Sequence, residues 1–144
     1  MIQRRYTEQK ELIQHADELE LTGGRSVLLY RGNQWLEEVS VDLGREADRF
    51  EALRPYLLKI GAALSGLDAS VQKYSALYGG DSRFSEHYYV ADMGLEGDGV
   101  LRLTYFGSVE NTEFDVCFQD MGDRFLLRSY GMKKEIPPDW EEPS

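Results

Sequence analysis

Apolar residues recur along this chain with two periods, and each change of period marks an element. After Thr7, Leu12, Ala16 and Leu19 are spaced by three and four, and Gly23-Gly24 follows. Threonine caps helices and paired glycines end them, so the pattern predicts a short N-terminal amphipathic helix. In "SVLLYRGNQWLEEVSVDL" the period becomes two: Val39, Val41 and Leu43 alternate with Ser40 and Asp42. Apolar runs flank Gly32-Asn33 and Trp35 stands just past it, which predicts a β-hairpin.

Spacings of three and four return at Phe50, Leu53, Leu57, Ile60 and Leu64, predicting a helix over about residues 46–65 that Pro55 kinks or divides. Leu67, Val71, Tyr74 and Tyr78 form a second stripe, with Asp68 as its cap and Gly79-Gly80 as its stop. Residues 84–131 hold four strand-like runs, FSEHYYVADM, VLRLTYF, TEFDVCF and RFLLRSYG, separated by GLEGDG, GSVEN and QDMGD. The expected fold is therefore α+β: an N-terminal helix, a β-hairpin, two central helices and a C-terminal four-stranded antiparallel meander.

Pairing Tyr105 with Phe114 sets Leu103 opposite Val116 and Leu101 opposite Phe118 on one apolar face. The other face then carries Arg102, Thr104, Phe106, Glu113, Asp115 and Cys117. Extending the register by pairing Phe118 with Phe125 places Arg128 opposite Asp115, an exposed ion pair worth under ~1 kcal/mol.

A chain of 144 residues with 42% hydrophobic and 12% aromatic content is long enough for one core. A single domain is expected over 1–134. Pro137-Pro138 breaks periodicity in an acidic tail, 135–144, which Trp140 is expected to pin to the body. No apolar run follows Arg4-Arg5, and none is long enough to span a bilayer, which argues against an export signal or a membrane span. Cys117 has no second cysteine to pair with, which suits a reducing compartment, and a cytoplasmic location is expected.

Charge changes the picture most. The formal net charge is −10, and a surface of that sign repels nucleic acid and attracts basic proteins. Residues 1–80 hold 12 acids and 10 bases, whereas residues 81–123 hold 10 acids against only Arg83 and Arg102. The acidity is thus regional.

The residue types offer little conventional catalytic chemistry. Cys117 with His15 or His87 is the one nucleophile–base combination, and no spacing supports it. Two histidines, one cysteine and no HxxxH, CxxC or EF-hand pattern give no metal site or cofactor; DMGLEGDG shares only its composition with a calcium loop. YGGDSRF leads towards a strand, whereas a phosphate cradle needs glycines leading into a helix.

With "GVLRLTYFGSVENTEFDVCF" and the closing "GMKKEIPPDW", the chain resembles the small acidic α+β immunity proteins that accompany bacterial toxins. That resemblance implies non-enzymatic binding to a basic toxin domain and carries over no catalytic residue. The expected binding residues are Glu96, Asp98, Tyr105, Phe106, Glu110, Glu113, Asp115 and Asp120. The rival readings are a secretion chaperone, for which the usual C-terminal amphipathic helix is replaced by a Pro-rich tail, and a small enzyme with a pocket around His87 or Cys117.

Overall fold

The computed structural model describes residues 12–32, 38–79, 88–107, 112–131 and 134–135. Thr7, Trp35, His87, Glu110 and Trp140 lie outside them, as does most of the tail. The described residues form an eight-stranded sheet in sequence order: β1 (Leu21–Thr22), β2 (Ser26–Tyr30), β3 (Val39–Asp42), β4 (Tyr88–Gly97), β5 (Val100–Gly107), β6 (Thr112–Asp120), β7 (Phe125–Tyr130) and β8 (Lys134–Glu135). One helix, α1 (Phe50–Tyr74), connects β3 to β4. Such a long connection lets β3 and β4 pair parallel, Val41 beside Met93, while every other pairing is antiparallel.

This layout corrects the expected one in three places. First, the described residues hold one long helix over the span where two were expected. A 3-10 segment, Gly44–Arg49, leads into α1, and a π turn, Ser75–Gly79, ends it. The two stripes share one phase, because Leu64, Leu67 and Val71 continue the three-four spacing and are all buried. Pro55 sits just beyond the first α-helical turn, close to where a missing N–H costs least, and the helix runs on through it. Gly66 is helical, exposed and open to a Cβ, so Gly66→Ala should stabilise the protein by roughly 0.5–1 kcal/mol in urea unfolding. A loss of stability would mean that the helix breaks there after all.

Second, β4 to β7 do pair in sequence, but as part of one mixed sheet with the β2–β3 hairpin, not as a separate four-stranded meander. Third, residues 12–19 are not helical. Leu12 bridges Tyr30, the Ile13 N–H donates to the Leu29 carbonyl at 2.9 Å, and only Ala16–Glu18 make a 3-10 turn. A short isolated helix is marginal in water, and here the edge of β2 satisfies the backbone while Ile13 and Leu19 are buried.

The core lies between α1 and one face of the sheet. Leu57, Ile60, Leu64 and Val71 from the helix meet Val27, Leu29, Val41, Met93, Leu103 and Val116, all at most 1% exposed. Each such side chain contributes about 1.5–3 kcal/mol when fully buried. Tyr30 ties the layers together, its hydroxyl donating to the Gly61 carbonyl at 2.7 Å. Towards the helix C-terminus the packing turns aromatic: Tyr74 lies 5.1 Å from Tyr130, and Phe114 lies 5.5 Å from both Tyr105 and Tyr130. Among the described residues no helix is long and apolar enough to cross a membrane.

Candidate functional site: the open face of the sheet

Side chains alternate along a strand, so burying Leu101, Leu103 and Tyr105 under α1 turns Arg102, Thr104 and Phe106 to the opposite face. The β5–β6 register is the expected one, Tyr105 opposite Phe114 and Leu103 opposite Val116, and it sets Glu113, Asp115 and Cys117 on that same face. No described element covers this face.

Arg102 is its centre. Its guanidinium donates to Glu96 Oε1 at 2.7 Å and to Thr104 Oγ1 at 3.1 Å, and lies 3.8 Å from Asp92. Thr104 in turn donates to Asp115 Oδ1 at 2.8 Å. Directly across the strand stands Gly94, and a Cβ there would come within 2.5 Å of the guanidinium. Glycine is what lets the arginine lie flat on the sheet, with only 19% of its side chain exposed. Burial pulls the Arg102 pKa down, but Glu96, Asp115 and Asp92 outweigh it and the net shift is upward. Asp92 moves upward too: burial dominates, Asp42 and Asp115 add repulsion, and Arg102 offsets part of it.

At the β2–β3 end, Arg25 holds Asp42 in a two-pronged pair, both contacts at 2.9 Å, and the Gly44 N–H adds a third. The arginine's hydrogen bonds are the main reason that the Asp42 pKa falls. At the other end, Tyr89 and Phe106 form an edge-to-face pair at 5.8 Å beside exposed Glu113. The face thus presents Asp42, Asp92, Glu96, Glu113 and Asp115 against Arg25 and Arg102.

Of the expected binding residues, Glu96, Phe106, Glu113 and Asp115 come together here. Asp98 and Asp120 lie at the end of the sheet, where the Asp120 N–H donates to the Gly99 carbonyl at 2.8 Å. Tyr105 is fully buried and points at the helix, where its hydroxyl donates to Asp68, so it offers a partner no surface. Glu110 lies outside the described residues. Arg128 does not face Asp115: Phe118 pairs with Leu127 and Cys117 with Ser129, so Arg128 falls in a β-bulge and Thr104 takes its place as the partner of Asp115.

Several residues gave no sequence signal of their role. Asp68 is no cap but a half-buried carboxylate in the C-terminal half of α1, held by Tyr105 and by Gln72 Nε2 at 2.9 Å. Gly94 opposite Arg102 was legible only once the β4–β5 register was known. Cys117 and His15 are not brought together, because β6 and β2 are four strand spacings apart, roughly 19 Å. Burial also pushes the Cys117 thiol pKa up, the reverse of an activated nucleophile. Among the described residues no three His, Cys, Asp or Glu side chains converge on a metal-sized site. Comparison of the chain with protein-family models, with curated proteins and with solved structures returns no match.

Proposed function

We propose that this protein is a non-enzymatic binding protein of immunity type, which docks a basic protein domain on the open face of its sheet. The observation that carries this reading is a sheet face that no described element covers, with five carboxylates around two arginines. The acids of the 81–123 region supply most of them, so the charge asymmetry of the chain and the exposed face coincide. Hydrogen bonds fix Glu96 and Asp115 in place, so a partner meets a field that costs little ordering on binding. Opposite potentials steer encounter, and salt weakens them over a Debye length of about 10 Å at 0.1 M. Phe106 and Tyr89 add an apolar shoulder of the kind that anchors interfaces. The toxin identity of the partner rests on the resemblance to immunity proteins.

The test is affinity capture from the source cell at low and high salt with the wild-type chain and with Glu113→Lys. A basic protein that is captured at low salt, released at high salt and toxic when expressed without this chain supports the reading. Glu113→Lys should slow its association by about three- to fivefold at low ionic strength and leave the unfolding midpoint unchanged. Capture that is indifferent to salt and to Glu113→Lys contradicts it.

A further inference from the structure

A second site lies at the end of the sheet. The β4–β5 hairpin closes through Asp98-Gly99, both at positive φ (53° and 76°), a two-residue turn that asparagine, aspartate and glycine favour. Gln119 Nε2 donates to the Asp98 carbonyl at 2.9 Å, so the tip is stitched to β6. Between this tip and the start of α1 is a cleft of about 230 Å³. Leu53, Leu95, Val100 and Tyr56 give it apolar walls, and Asp98 and Asp120 are the acids of its lining besides Glu46. Glu46 and Arg49 also line it, but they neutralise each other through a 2.6 Å pair.

Pockets for drug-sized ligands run to roughly 300–1,000 Å³, so this one suits a single side chain. Its chemistry selects which. An alkyl stem fits the Leu53, Leu95 and Val100 walls, and a cationic head fits the two acids and the Tyr56 ring. The same corner already holds one cation this way: the Lys59 ammonium lies 5.8 Å from the Tyr56 ring and 5.5 Å from the Phe125 ring, and donates to the Gly122 carbonyl at 3.3 Å. Asp120 is fixed from two sides, by the Gly122 N–H at 2.7 Å and by the Tyr56 hydroxyl. Asp98 is exposed at the tip and has no hydrogen-bond or ion-pair partner for its carboxylate among the described residues.

We infer that this cleft receives an arginine side chain of the docked basic partner, with its guanidinium at Asp98 and Asp120 and its stem on the apolar walls. The inference deepens the proposed function and rests on it for the source of the arginine. Its test does not need the partner. Full-length protein is titrated with N-acetyl-arginine N-methylamide, and with the norleucine counterpart, while backbone amide shifts are followed.

The expected result is saturable shifts confined to Leu53, Tyr56, residues 95–100 and Asp120 for the arginine probe alone. Asp98→Asn keeps a residue that tolerates positive φ and should weaken the probe about fivefold with a native spectrum, whereas Glu113→Lys should leave it unchanged. No saturable shift, equal binding of the norleucine probe, or indifference to Asp98→Asn overturns the inference. If the probe fails while partner capture still depends on Glu113, the cleft assignment falls and the open-face docking stands.

Discussion

Arg102→Met should cost about 2 kcal/mol of stability near neutral pH and much less in acid. Removing one partner of a fully buried ion pair costs about 3–5 kcal/mol; Arg102 is mostly buried but its acids are half-exposed, and solvent reduces the figure. Without the guanidinium, Asp92, Glu96 and Asp115 repel one another on one face, and Asp92, whose pKa burial already raises, loses the Arg102 attraction that offset part of that rise. An acid whose pKa is raised by folding destabilises the fold as pH climbs through that value, and protonation removes the penalty. The variant's deficit should therefore shrink below about pH 4, the usual carboxylate range. Arg102→Lys should recover part of the loss, since it restores the charge without the planar fork that reaches Glu96 and Thr104 together. Urea unfolding at two pH values decides the point. An equal deficit at both would mean that Arg102 matters for its packed stem and not for its charge.

Tyr105→Phe should cost about 2 kcal/mol near neutrality, the scale of a hydrogen bond to a charged group. Its hydroxyl donates to Asp68, whose pKa burial raises while Tyr105 and Gln72 pull it back down. Because the net shift is upward, the Asp68 contribution is most favourable below the unfolded carboxylate pKa and is lost as pH rises through the folded one. Losing the tyrosine hydroxyl raises the folded pKa further, so the variant's deficit should grow with pH. Asp68→Asn keeps an acceptor for Tyr105 and abolishes the titration. It should gain stability over the wild type as pH rises, and Tyr105→Phe should cost less in that background. A Tyr105→Phe deficit that does not change with pH would show that Asp68 is neutral throughout.

These two sites show what the sequence could and could not disclose. Strand alternation gave the β5–β6 register and with it the partition of Leu101, Leu103 and Tyr105 from Arg102, Thr104 and Asp115. The β6–β7 register failed at the turn, where Phe125 pairs with Asp120 and not with Phe118, a slip of two residues, and the bulge at Arg128 then displaces the remaining pairs by one more. The helix count failed at Asp68, which has the chemistry of an N-cap but sits inside a continuous helix whose apolar stripe runs from Leu64 through Leu67 to Val71. Residues 12–19 carried helical spacing yet lie along a strand edge, a tertiary choice that propensity does not encode. Likewise the parallel β3–β4 pairing that joins hairpin and meander depends on how α1 packs back on the sheet. Of the candidate site, the charge asymmetry was visible in the sequence. The network around Arg102 was not, because Asp92, Gly94 and Glu96 become its neighbours only through the sheet.

The central claim is that a basic partner docks on the open face. Cys117, the only cysteine in the chain, lies on that face opposite Arg102 and is partly accessible. Its rate of alkylation, followed by mass spectrometry on the intact chain as the captured partner is titrated in, reports directly on whether that face is covered. Docking there predicts a rate that falls in step with occupancy and recovers when salt releases the partner. A rate unchanged at saturation would place the partner elsewhere on the protein and contradict the account.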